Sequence, residues 1–326
     1  MKRETAALAL CLAVEPLSCV TQARSAARPP IVVEARWQDV FDVAPELLVV
    51  IRPNALRANE LYGPLLKRVQ QLAREQNPAV AATGAMEAIE DADEVLFGLY
   101  SIALDDADAS DFVAVVLGVR ADIDPATLVD TDGRALWTAG PSGPVRELLR
   151  EHEERGPPVQ ASLFELPGRT WVIASGRART HARDAFARPR GRPDPAPLDA
   201  DTLALVRVDG PSLAARLPAL RPPSPLAALG RGLRSVSLEL PPDAARPVQA
   251  SLAYSSVGAA AAAESVARDA VEAIRRKKPE GFEWIGDARI SRPAAGSLLA
   301  LSAPLPPRIL VSLQRMGARA PESTHP

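Results

Sequence analysis

Two stretches of the chain share one order of apolar and polar positions. Residues 45–56 and 201–213 are each an apolar run that ends at a turn residue and leads into a helical pattern. Further strands are predicted in matching order after each stretch. They are 94–104 and 233–240, 112–119 and 248–255, 162–166 and 288–291, and 170–175 and 297–302, and the segments 136–140 and 283–286 also correspond.

This order predicts an α+β fold made of two diverged copies of a β-α-β-β-α-β-β-α unit. Neighbouring strands of this kind usually pair in antiparallel sheets, so we expect mainly antiparallel sheets with helices on one face. The clearest helical pattern is 259–277, where Val266, Ala270 and Ile274 form an apolar stripe. A second helix is predicted to begin at Pro144 and to run through His152.

Composition shifts suggest the domain boundaries. Residues 188–198 are rich in proline, which favours an extended connector between two lobes. The predicted organisation is a signal peptide at 1–18, a tether at 19–37, a first lobe at 38–187, the linker at 188–198, a second lobe at 199–317 and a flexible tail at 318–326.

The first residues have the features of an export signal. Lys2 and Arg3 form a basic start, an apolar run follows at 6–14, and the only two cysteines of the chain are Cys11 and Cys19. No later segment has the length of uninterrupted apolar sequence that a membrane-spanning helix needs. Any attachment to a membrane is therefore expected to be a tether.

The segment ending in Ser18-Cys19 resembles a bacterial lipoprotein signal peptide. The resemblance implies that Cys19 becomes the lipid-modified first residue of the mature chain, and Val20 after it implies the periplasmic face of the outer membrane. An ordinary secreted protein cut after Ser25, or a cytoplasmic chain, are the alternatives. The remainder of the chain resembles exported bacterial proteins only in overall type, which implies no activity.

Charge and motifs narrow the function classes. The chain has 38 Lys+Arg and 40 Asp+Glu, so it lacks the positive field expected of a nucleic-acid partner. The sequence contains no phosphate-binding loop, no nucleophile-elbow serine and no zinc-type histidine pair. We therefore expect no cofactor, and binding is favoured over catalysis.

His152 is the one candidate catalytic residue. It continues the apolar stripe of the predicted helix beside Glu151, Glu153 and Glu154, so a general-base role is conceivable. The favoured interpretation is a boundary histidine near the helix C-terminus, where a cation suits the dipole.

An acidic cluster gives the only candidate metal ligands, Asp106, Asp108 and Asp111. Against a calcium-loop template starting at Asp106, the glycine position holds Asp111 and the final glutamate position holds Leu117. A solvated hairpin loop is therefore the favoured interpretation of this cluster.

Two other features of the sequence are a run of basic residues and a pair of tryptophans. The basic run from Arg177 to Arg192, which includes His181, is interpreted as a solvated face, with docking to an acidic surface or lipid headgroups as the alternative. Trp137 and Trp284 are interpreted as core anchors.

The sequence as a whole predicts an exported, lipid-anchored envelope protein of non-enzymatic binding or scaffolding type. Its expected partners are the membrane, reached through the N-terminal lipid, and an envelope protein. The alternatives are an envelope hydrolase built around His152 and a periplasmic carrier of an apolar ligand.

Overall fold

The computed structural model describes residues 34–305 and residue 311, apart from positions 65, 68–70, 72–89, 101–110, 121–122, 130–133, 153–158, 196, 221, 223, 225, 244, 281–282 and 294–295. The described chain from Glu34 onward belongs to one compact unit. The fold is α+β with a large antiparallel sheet and a few helices, which confirms the predicted fold class at this level.

The described strands form one sheet in the order β11-β12-β10-β9-β8-β1-β2-β3-β7-β6-β5-β4. Every pair in it is antiparallel. The strands are β1 Leu47–Ile51, β2 Glu94–Leu99, β3 Phe112–Leu117, β4 Thr138–Ala139, β5 Arg146–His152, β6 Val159–Leu166, β7 Thr170–Ser175, β8 Ala204–Asp209, β9 Leu233–Leu240, β10 Val248–Tyr254, β11 Arg289–Ser291 and β12 Leu298–Ala303.

Five α-helices are described: α1 Pro53–Ala58, α2 Ala178–Ala187, α3 Gly210–Arg216, α4 Ala227–Gly230 and α5 Val257–Lys277. The longest, α5, begins where the Ser256 Oγ accepts a hydrogen bond from the Ala259 N–H at 3.1 Å. It ends where Lys278 turns left-handed, with φ of 44°. The prediction of this helix is confirmed. None of the described helices has the length and apolar character needed to cross a membrane.

The helix predicted from Pro144 to His152 is wrong, because these residues form the strand β5. The apolar positions Val145, Leu148 and Leu149 fit a helical stripe, but a short apolar run also fits a strand. Pairing with β6 along seven residues, from Arg146 opposite Glu165 to His152 opposite Val159, decides for the strand.

The sheet has two faces, which we name by the residues of β1. Leu47, Val49 and Ile51 lie on the front face, and Leu48 and Val50 lie on the back face, because side chains alternate along a strand. Helix α2 packs on the back face, where Ala178, Ala182 and Phe186 join a core with Leu48, Val50, Val115 and Val172.

Helix α5 packs on the front face instead. Its residues Ala260, Ala263 and Ala267 form a core with Tyr254 and Leu299. The registers place Leu299 opposite Leu252, Leu252 opposite Val236, Val236 opposite Val208 and Val208 opposite Leu47. The expectation of helices on one face is therefore wrong, since the described helices cover both.

The two predicted lobes supply strands to the same sheet, β1–β7 from 38–187 and β8–β12 from 199–317. They meet at β1 and β8, which pair over five residues. Arg52, just after β1, donates hydrogen bonds from Nη1 and Nη2 to the carbonyl groups of Leu198, Asp199, Ala200 and Thr202. The chain that enters β8 is thus fixed to the end of β1.

Candidate functional site

The middle of the front face carries two parallel rows of apolar side chains, which we call the central strip. They run across β9, β8, β1, β2 and β3, and the strand registers fix which residues stand side by side. The first row is Val236, Val208, Leu47, Leu99 and Phe112, and the second row is Leu238, Val206, Val49, Phe97 and Ala114.

The central strip is less covered than the back face of β1, β2 and β3. Leu48, Val50 and Leu96 on the back face are fully buried, whereas nine of the ten strip residues are partly exposed and Leu238 is 46% exposed. Near one end of the strip the rings of Phe97 and Phe112 lie 5.4 Å apart in a tilted arrangement. The strip is thus an apolar surface with an aromatic pair near one end.

Packed cores border the central strip. Along one side, Val95 and Val116 are buried in a core that contains Trp171. At the β9 end, Leu252 and Leu301 pack against the core beneath α5. Of the strip residues, only Val236 is among the side chains packed into the four described hydrophobic cores.

A second feature, on the back face, gathers polar residues around the start of α2. His181 Nε2 lies 2.8 Å from Asp42 Oδ1, and Arg190 Nη1 lies 3.1 Å from Asp42 Oδ2. Asp111 accepts hydrogen bonds from the Arg177 backbone N–H at 2.8 Å and from the Arg177 Nε at 2.6 Å. Next to these groups is a shallow pocket of about 290 Å³, lined in part by Val43 and Tyr100.

An aspartate beside a histidine is an arrangement that orients a general base. The hydroxyl group lining this pocket in the described chain belongs to Tyr100, and it donates a hydrogen bond to the Val40 carbonyl at 3.1 Å. Burial, and then the Asp42 charge, raise the pKa of Tyr100 far above its ordinary value, so this hydroxyl stays protonated. The contacts therefore hold α2 to the segment before β1.

A buried ion pair joins α2 to the strand β5. The Glu147 side chain on β5 is 4% exposed, and Arg183 donates to both of its carboxylate oxygens at 2.6 to 2.9 Å. The Ser162 Oγ donates to the same carboxylate at 2.6 Å and accepts from Arg179 Nε at 3.0 Å. The hydrogen bond to Glu147 raises the pKa of Arg183 against the opposing effect of burial.

The interpretation of the basic run as a solvated face holds for Arg177 and Arg190, whose side chains are 86% and 61% exposed, but several members of the run also have partners within the chain. Arg177, Arg183 and Arg190 are paired with carboxylates from distant parts of the chain, and Arg179 contacts Gln160 and Ser162. Charge patterning along the sequence gave no sign of this, since the partners are 17 to 148 residues away.

The structure describes only some of the remaining predicted site residues. Asp111 lies at the polar cluster, whereas Asp106, Asp108 and Cys19 lie outside the described residues. His152 ends β5 opposite Val159, and its side chain also lies outside the described part, so its role stays a prediction. No group of three metal-ligating side chains occurs within the described residues.

The prediction of a core anchor is confirmed for Trp137, which is buried. Trp284 lies partly buried in the 3-10 helix Glu283–Asp287.

Comparison of the chain with protein families, with curated proteins and with solved structures finds no match.

Proposed function

We propose that the chain is an exported, lipid-anchored protein of the cell envelope that functions by binding, and that the central strip is its binding surface. The observation that carries this proposal is the continuity of the strip, in which ten apolar side chains stand in two rows across five strands. Single exposed apolar residues are ordinary on protein surfaces, but a contiguous patch is typical of an interaction site or ligand groove.

The N-terminal sequence supports the envelope location. Cys19 follows a basic start and a short apolar run, and its position after Ser18 resembles the lipid-modified cysteine of bacterial lipoproteins. A single acyl chain gives marginal anchoring, so stable attachment takes more than one chain. A lipid-modified Cys19 would hold the chain at the periplasmic face of the outer membrane.

We also infer that the two halves of the sheet are diverged copies of one unit. Outward from β1 the strand order is β1-β2-β3-β7-β6, and outward from β8 it is β8-β9-β10-β12-β11. Val49 and Val206 pair with each other, and they also align when 47–56 is laid on 204–213. The same alignment superposes Pro53 and Gly210, the first residues of α1 and α3.

The copies differ between their third and fourth equivalent strands. The first copy has β4 and β5 between β3 and β6, whereas the second has α5 between β10 and β11. The central strip crosses the junction of β1 and β8, so both copies contribute to the proposed binding surface.

Binding is tested with an apolar fluorescent dye and two matched variants. Leu238 is 46% exposed on the front face and Leu298 is 41% exposed on the back face, so Leu238→Ser and Leu298→Ser change similar side chains. We expect the dye to gain fluorescence with the wild-type protein and with Leu298→Ser, and to lose most of that gain with Leu238→Ser. Equal fluorescence with both variants would overturn the assignment of the surface.

The location is tested in a bacterial host by mass spectrometry of the mature N-terminus. We expect a chain that starts at an acylated Cys19 in the membrane fraction, and a shift of Cys19→Ala to the soluble fraction. An intact Met1 in the cytosol would contradict the export proposal.

A further inference from the structure

The central strip offers its occupant only apolar contacts. All five of its strands have a hydrogen-bonded neighbour on each side, so their backbone groups are already engaged within the sheet. None of the ten strip side chains carries a polar atom. An extended peptide bound to this apolar surface would have backbone N–H and C=O groups without partners, which costs free energy.

The size of the central strip argues against a second copy of the chain as the occupant. Five strands at about 4.8 Å spacing give a length of about 19 Å, and two rows lie about 7 Å apart along the strands. A stable protein interface buries about 800 Å² on each partner. The strip is several times smaller than that.

The dimensions match a single hydrocarbon chain. The hydrocarbon core of a bilayer is about 30 Å thick, so the chains of one leaflet are about 15 Å deep. A hydrocarbon chain of that length fits along the central strip. Such a chain has no polar groups, which matches the apolar side chains of the strip. The exposed Leu238 stands at one end and the Phe97–Phe112 pair lies near the other.

We propose that the occupant of the central strip is one acyl chain of an envelope lipid, bound along the rows from β9 to β3. This rests on the proposed function, because it names the ligand of the same surface. The acyl chain comes from a separate lipid molecule and not from the lipid on Cys19 of the same chain.

The test uses full-length Cys19→Ala protein, which has no lipid of its own, with a fluorescent long-chain fatty acid as the probe. We expect one probe molecule per chain, displaced by unlabelled palmitate and laurate but far less by octanoate. The affinity of the competitor should rise about fourfold for each methylene until the strip is filled. Leu238→Glu should weaken binding by at least about tenfold, since it places a charge beside the hydrocarbon.

Leu298→Glu is the matched control and should bind the probe as the wild type does, because Leu298 lies on the opposite face. Thermal unfolding of both variants checks that each is folded. If Leu238→Glu is not folded, Leu238→Ser is used in its place.

The possible failures are distinguishable. If the apolar dye binds at Leu238 but fatty acids do not displace it, the acyl-chain proposal is wrong and the binding surface stands. Unchanged dye and probe binding in the Leu238 variants would overturn both. Stronger probe binding by Cys19→Ala than by the lipidated protein would identify the chain's own lipid as the occupant and overturn the assignment to a separate lipid molecule. Concentration-dependent dimerisation that Leu238→Glu abolishes would identify a second copy.

Discussion

The strand β7 is enclosed on both faces, whereas β9 and β12 are enclosed over only small parts of their length. In β7 five of the six residues are buried, among them Trp171, Val172 and Ala174. In β12 only Leu299 is buried, and in β9 only Leu233. The same sheet therefore has a well-packed region in its first half and a more open region in its second half.

The difference follows from what each face offers for packing. The back face of the first half carries Leu96, Val113, Val115, Phe164 and Val172, which pack with α2. The same face in the second half carries serines 235, 237, 251 and 302. Serine buries little apolar area, so an element that covered this face would gain little free energy. Side-chain chemistry, more than strand order, thus decides where the sheet is closed.

The largest difference between the two regions is expected at their carboxylates. Arg183→Ala leaves the Glu147 side chain, which is 4% exposed, without its charged partner and should lower the free energy of unfolding by about 3–5 kcal/mol. Glu272→Ala removes an exposed partner of Arg275 on α5 and should cost no more than about 0.5 kcal/mol. Urea unfolding measures both, and equal losses would contradict the contrast.

Two leucines, one in each half of the sheet, sharpen the comparison. Leu96 on β2 is fully buried, and its truncation in Leu96→Ala should cost about 2–5 kcal/mol because it leaves a cavity. Leu238 on β9 is 46% exposed, and Leu238→Ala should cost less than about 1 kcal/mol. If Leu238→Ala proved as costly as Leu96→Ala, the central strip would be part of a closed core. Thermal or denaturant unfolding decides this.

An effect that is confined to alkaline pH concerns the three tyrosines, whose pKa values are all raised. Burial raises the pKa of Tyr254 to about 12, and it raises those of Tyr62 and Tyr100 as well, with added contributions from Asp243 and Asp42. A phenol whose pKa is higher in the folded state contributes stability that is present below about pH 10 and lost as the pH rises through the folded value. For Tyr254, the free energy of unfolding that is lost between pH 10 and 12 is about 2–3 kcal/mol.

An alkaline absorbance titration checks the expectation. The folded protein should show little tyrosinate near pH 10, and the signal should appear together with unfolding. Tyr254→Phe should reduce the loss of stability between pH 10 and 12, although it also removes the hydrogen bond to the Leu229 carbonyl. Full tyrosinate absorbance at pH 10 in the folded state would contradict the burial of these side chains.

Much of the local structure was predictable because its signals are local. The alternation in 248–255 predicted β10, and the apolar stripe of 259–277 predicted α5. The Pro167-Gly168 turn was also predictable, since Gly168 adopts φ of 77° between β6 and β7. The helix expected at Pro144 was wrong, because the pairing of β5 with β6 outweighed a short helical pattern.

The candidate site was beyond prediction because its parts are distant in the chain. In the central strip, Leu238 stands beside Val206, Val206 beside Val49, and Val49 beside Phe97. Consecutive apolar residues in β1 to β3 indicate strands that are buried on both faces. That pattern gives no sign that one face stays partly exposed.

The amino-acid sequence alone determined most of the strands, the helix α5 and the α+β class, since each depends on neighbouring residues. The tertiary structure decided which strands pair, which face each helix covers and which apolar side chains remain partly exposed. These outcomes depend on packing between residues more than a hundred positions apart, such as Phe186 against the back of β1. In an apolar strand both faces are equally fit for burial, and only the elements that pack against it determine which face is covered.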